Sequence, residues 1–152
     1  MIFSSHAIVG SAVGSLVENP ALALLLGVLS HHLLDFIPHL DAGSFMKKAN
    51  WRSKKFLTYL FFDLALGTFV VYWLWRDAGY ASIILWGALG GVLTDVIDNN
   101  PWASTLRCLP FFKQYHFVHK KVHHTVKKEA WLLGVVTQIV LIVLSIIIAK
   151  KV

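Results

Sequence analysis

The chain has 152 residues, 57% of them hydrophobic, with a formal charge of +6 and one cysteine. So apolar a composition cannot cover a soluble core of this size, which points to an integral membrane protein. Cys108 alone excludes an internal disulfide and a thiolate metal cage, and the distribution of the basic residues excludes a nucleic-acid surface.

Residues 2–17 are apolar and rich in Gly and Ser, with no Lys or Arg before Lys47, so they lack the basic start of a signal peptide. Their "GSAVG" (10–14) is a GxxxG pattern suited to close helix packing. The next segment, 21–37, is apolar as far as His31 and ends in "SHHLLDFIPHLD", where Pro38 stops or bends the helix. Residues 56–75 carry only Asp63, residues 80–97 only Asp95, and residues 130–149 no charge at all. A bilayer takes about 20 apolar residues per crossing. The expectation is therefore an all-α polytopic membrane bundle of about five helices, the first of them short.

Before the last span, residues 110–124 read as an amphipathic interfacial helix. Phe111, Tyr115, Val118 and Val122 make its apolar stripe, with His116, His119 and His123 alongside at i, i+3 and i+7. It should rest on the membrane surface with Lys113, Lys120 and Lys121 toward lipid phosphates. Eleven of the fourteen basic residues fall in two alternate connections: Lys47–Lys55 and Arg107–Lys128. Positive charge retained on the inner side then predicts a multi-pass protein of the cell's inner membrane, with its N-terminus and His-rich connection cytoplasmic. In that topology His6, His31, Asp35, His39, Asp63, Asp95 and Asp98 all sort to the cytoplasmic half.

The chain also resembles itself. "LLGVLSHHLLDFIPH" (25–39) aligns with "LWGALGGVLTDVIDN" (85–99) at an offset of 60, matching Asp35 with Asp95 and Gly27 with Gly87. A weaker match pairs His6 with Asp63. Repeats over about 2–39 and 56–100 would converge on a pseudo-two-fold site.

His31 and Asp35, at i and i+4, project from one helical face and can share a cation. Asp63 inside "LTYLFFDLALGTF" costs at least about 2.5 kcal/mol unpaired, so a histidine or a cation should meet it, His6 being the natural partner. The expected ligands are His6, His31, Asp35, His39, Asp63, Asp95, His116, His119 and His123. Such a nitrogen and carboxylate set suits a divalent ion, Zn²⁺ first, with Mn²⁺ or Fe²⁺ as alternatives, in two or three sites bridged by Asp35 or Asp95. Asp98, nearer water, and Arg107, able to hold a phosphate as Lys113 also could, are the candidates for catalysis.

At "LSHHLLDFIP" and "GGVLTDVIDNNP" the sequence resembles the bacterial membrane-bound metal-dependent hydrolases of the YdjM type, distant relatives of zinc-dependent phospholipase C. The resemblance covers His31, Asp35, Pro38, Asp95, Asp98 and His6, and implies a zinc cluster; Thr94 stands where the family has Pro. With ligands at headgroup depth, the expected function is hydrolysis of a phosphate ester of a lipid or lipid-linked substrate at the cytoplasmic face. A metal-ion or proton transporter is the competing class, with Thr68, Thr137 and Gln138 as its continuation outward. A bis-histidine haem protein is the third.

Overall fold

The computed structural model describes residues 2–46, 53–78, 81–99 and 102–151. Lys47, Lys48 and Arg52, on which part of the charge argument rests, lie outside the described residues. The order is α1 (Phe3–Gly14), α2 (Pro20–Phe36), α3 (Ala42–Phe45), α4 (Lys54–Asp77), α5 (Ala81–Asp98), α6 (Ala103–Leu106), α7 (Pro110–Val122) and α8 (Trp131–Lys151). Among the described residues the only β pairing is an isolated bridge between His39 and Thr125.

Local chemistry sets the helix ends. Asn19 accepts the Ala21 and Leu22 amides, and Pro20 supplies a ready-made first helical φ, so α2 starts abruptly. Ile37 turns extended (φ −81°, ψ 135°) ahead of Pro38, which ends it.

The interior holds many polar groups beside an apolar core around Ile8, Val71 and Ile84, and the exterior is apolar. Ser4, Ser5, His6, Ser11, Ser30, His31 and Asp35 are buried, whereas Leu29 and Leu33 on α2, Phe61 and Phe69 on α4, and Ile139 and Val143 on α8 are exposed. That reverses the partition of a water-soluble domain. Two helices, Lys54–Asp77 and Lys128–Lys151, are long and apolar enough to cross a membrane, and Pro20–Phe36 is a shorter apolar helix.

The first segment is short, as expected: α1 has 12 residues, about 18 Å at 1.5 Å each, against a hydrocarbon core of about 30 Å. It is buried from Ser4 to Ala12 and again at Gly14, and serves as the axis of the bundle. One expectation changes: the pseudo-two-fold is not realised. α1 packs extensively on α5, but α2 and α4, the pair the repeat would relate to them, barely touch.

Glycines permit the central approach. A Cβ on Gly87 would lie 2.2 Å from the Gly10 carbonyl oxygen, and one on Gly90 2.1 Å from that of Leu24. The "GALGG" of α5 (87–91) is thus the surface on which both α1 and α2 sit.

Candidate metal centre

α2 delivers His31 and Asp35 from one face of its last turns. The proline break then carries His39 across the end of the helix. There the chain after α7 is stitched to it: the His124 amide donates to Asp35 O (2.8 Å), the His39 amide to His124 O (3.2 Å), and the Val126 amide to His39 O (2.8 Å). This backbone strap sets the His123 ring 4.6 Å, centroid to centroid, from that of His39. α1 brings His6 from one side, α5 brings Asp95 and Asp98, and α7 inserts His119.

Five imidazoles surround one carboxylate. Asp35 Oδ1 lies 3.2 Å from His6 Nε2, 3.8 Å from His39 Nε2 and 3.6 Å from His123 Nε2. Its Oδ2 lies 3.2 Å from His31 Nε2 and 2.9 Å from His119 Nε2. Asp95 stands 3.9 Å from both His6 and His31 Nε2. Three groups have ligand atoms within 4.8 Å of one another: His6–His31–Asp95, His31–Asp35–His119, and Asp35–His39–His123. Asp35, with two carboxylate oxygens, is shared by the second and third groups and could serve an ion in each, whereas His31, with Nδ1 held by Gly91 O, could serve the first group or the second through Nε2 but not both.

The outer nitrogens are spoken for. His31 Nδ1 donates to Gly91 O (2.8 Å), His39 Nδ1 to Ile37 O (2.7 Å) and His119 Nδ1 to Asp98 Oδ2 (2.8 Å). His123 Nδ1 donates to Thr125 Oγ1, which itself donates to Asp41 Oδ2 (both 3.1 Å). Each of these bonds turns Nε2 toward the cage, the orientation metal-bound histidines have. His6, by contrast, has no hydrogen bond at either ring nitrogen, and the Ser4 and Ser5 hydroxyls beside it have none either. Buried polar atoms left so are rare, and beside the 3.2 Å approach of His6 Nε2 to Asp35 Oδ1 an ion or an ordered water would satisfy them.

Burial pushes His39 and His123 down to about 4, so both are neutral donors near pH 7. Burial also acts to lower His119, but its bonds to Asp35 and Asp98 outweigh that and hold it above the usual imidazole value. A proton on its Nε2 would point at Asp35, and a cation bound there would take that proton's place.

Several expected site residues stand elsewhere. Asp63 joins none of the three groups: its carboxylate accepts the Phe3 amide (2.7 Å) and the Ser4 amide (3.1 Å), capping α1 from the side. The expectation of a histidine or cation partner overlooked a helix N-terminus, whose free N–H groups stabilise a buried anion just as well. His116 is also outside the three groups; its Nδ1 lies 2.8 Å from Asp98 Oδ1. Asp98 is spent on orienting the rings of His116 and His119, and Arg107 is held to it, by the side-chain oxygen (3.4 Å) and by the Asp98 carbonyl. Asp41, Thr125 and Gly91 escaped sequence reasoning. Asp41 follows His39 by two residues, but Thr125 and the Gly91 carbonyl carry no such signal.

Asp63 fixes α1 one turn before His6, and Gly67 lets α4 press on it, since a Cβ there would lie 2.9 Å from Ser4 Cα. Asp63→Ala should cost about 0.5–2 kcal/mol as a lost cap and loosen His6 with it. The expected result is a lower apparent melting temperature together with weaker cation retention. An unchanged melting temperature would contradict the cap.

Compared with known proteins, the chain matches no family model, no curated protein and no solved structure. The likeness to the metal-dependent hydrolases is carried by the quoted helix ends alone.

Proposed function

We propose that this is a multi-pass protein of the inner membrane that holds a cluster of divalent cations, Zn²⁺ first, at the cytoplasmic face and hydrolyses a phosphate ester of a lipid or lipid-linked substrate. The observation that carries the reading is the convergence of five Nε2 atoms on Asp35. The exposed apolar exterior of α2, α4 and α8 supports a lipid environment, in which the shorter α2 and α5 complete the passes begun by α4 and α8.

Divalent ions bound there would supply a hydroxide near neutral pH and neutralise charge on a phosphoryl oxygen. The chain's own residues prepare for that. Gly91 O, Ile37 O, Asp98 and Thr125 lock four imidazoles in place before any ligand arrives, so little reorganisation is left for the reaction. Asn99 Nδ2 donates to Asp95 Oδ1 (2.7 Å) and fixes that carboxylate likewise. Asp95 and His123, 16% and 22% exposed, are the cage's open rims, while His6, His31, Asp35 and His39 are sealed. The substrate's phosphate would enter at a rim, with Arg107, a third exposed and held beside Asp98, as a fixed cation to meet it.

The two competing readings fare worse. Gln138 donates to Leu40 O (2.6 Å) and Thr137 to Leu133 O (2.8 Å), so the polar groups that could extend a conduit are engaged locally. His6 and His31 stack with centroids 3.9 Å apart, so a haem could not lie between that pair.

Elemental analysis of protein purified from membranes should find one to three zinc, manganese or iron ions per chain. Incubation with phosphatidic acid or a long-chain alkyl phosphate diester should release a phosphorus-containing or dephosphorylated product, and a chelator should stop it. Metal-free protein would end the cluster reading, and loaded but inert protein the hydrolase reading.

A further inference from the structure

We infer that α7 is clamped between the cation cage and an anionic phospholipid surface, so that the lipid composition of the facing leaflet sets how firmly the cage holds its cation. This rests on the cage reading above and adds a partner and a means of regulation to it.

α7 has two unlike sides. Inward, its attachments are polar: His119 bonds to Asp35 and Asp98, and His116 to Asp98. Apolar packing is sparse, for Phe112, Tyr115 and Val122 are only half-buried and His119 is the helix's single buried residue. Outward, Phe111 and Phe117 are 71% and 68% exposed, with Val118 exposed between them and Leu109 just before the helix. Lys113, Lys120 and Lys121 are exposed on the same helix, which carries no acid.

That surface selects its occupant. A helix facing water would not present two bare phenyl rings, and an apolar protein groove would have to bury three lysines without counter-charges. An anionic membrane surface takes both: the rings enter the acyl boundary while the lysines reach the phosphates. Lys127 and Lys128, exposed just beyond α7, add to the same charge.

The inward bonds of α7 end on Asp35 and Asp98. One is a member of two of the three ligand groups, and the other holds His119 in the second. Seating α7 and completing the cage are therefore one structural event. Two ligands that favour the same seated state must favour each other, by the same factor in each direction. The anionic lipid presses α7 down from outside; the cation draws His119 and His123 in from beneath.

The test is the full chain in nanodiscs of phosphatidylcholine alone or mixed with phosphatidylglycerol, loaded with Co²⁺ and titrated with a chelator. Co²⁺ should be held about tenfold more tightly in the anionic discs. The triple substitution K113A/K120A/K121A should erase that difference, and K113R/K120R/K121R should keep it. Equal retention in both lipids would overturn the inference, as would an alanine variant that still responds to lipid. Amide exchange across residues 110–122, read in the same discs, separates this from failure of the cage. If no Co²⁺ binds at all, the cage reading and the coupling fall together, and protection of those amides by phosphatidylglycerol would retain only the docking surface.

Discussion

Asp35→Ala is expected to empty the cage, lowering cation retention by at least about 100-fold, while most of the fold survives. The carboxylate lies within 4 Å of all five Nε2 atoms, and it belongs to two of the three ligand groups found among the described residues. Loss of a mere outer-shell partner already costs about 10–100-fold in affinity, and a shared ligand should cost more. Stability is a separate question. Removing one partner of a buried ion pair can cost about 3–5 kcal/mol when the other charge is stranded. Here the stranded partner would be His119, and an imidazole escapes that penalty by giving up its proton. The cation should therefore suffer more than the fold. Asp35→Asn separates the two effects by keeping volume and removing charge. It should melt close to the parent chain without metal, yet bind little Co²⁺, as read from the visible absorption of the tetrahedral ion. Co²⁺ bound by Asp35→Asn with parental affinity would refute the cage.

Much of this arrangement is legible in the sequence because ionisable residues inside apolar runs are costly and so cannot be casual. That reasoning brings His6, His31, Asp35, His39, Asp95, His119 and His123 to one end of the bundle, where the structure has them. It fails for Asp63, because the partner is backbone, and no residue type announces an N–H group. For α1 it leaves the surroundings open. A helix apolar on every side reads alike whether lipid or protein surrounds it, and only the packing shows that protein does.

The broken symmetry is visible at one pair of positions. In the repeat, His31 of α2 aligns with Gly91 of α5. On α5 the missing side chain admits α1 until His6 O would lie 2.2 Å from a Cβ. On α2 the same position carries an imidazole, turned toward His6 and Gly91, and α4 packs on α1 rather than on α2. One copy of the repeat kept a ligand there and the other kept the space to bring a ligand close. An alignment shows the pair but not the division of labour.

Gly91→Ala should accordingly damage fold and site together. The new methyl would meet His6 O at 2.2 Å, His6 C at 3.0 Å and Gly10 Cα at 3.3 Å, all backbone atoms that no rotamer change can move aside. α1 must back away as a unit, at an overpacking cost of about 1–3 kcal/mol. The Gly91 carbonyl also fixes His31 through Nδ1, so the shift reaches two members of the His6–His31–Asp95 group at once. Displacements of about 1 Å are enough to spoil a preorganised site. Cation retention should fall at least about tenfold, along with the apparent melting temperature. Gly14→Ala supplies the comparison. Its Cβ would strike the same helix, 2.8 Å from Gly87 Cα, but about 12 Å along α1 from His6 at 1.5 Å per residue. It should lower the melting temperature while sparing the cation. If both variants lose Co²⁺ equally, the damage is general unfolding and Gly91 has no particular hold on the site.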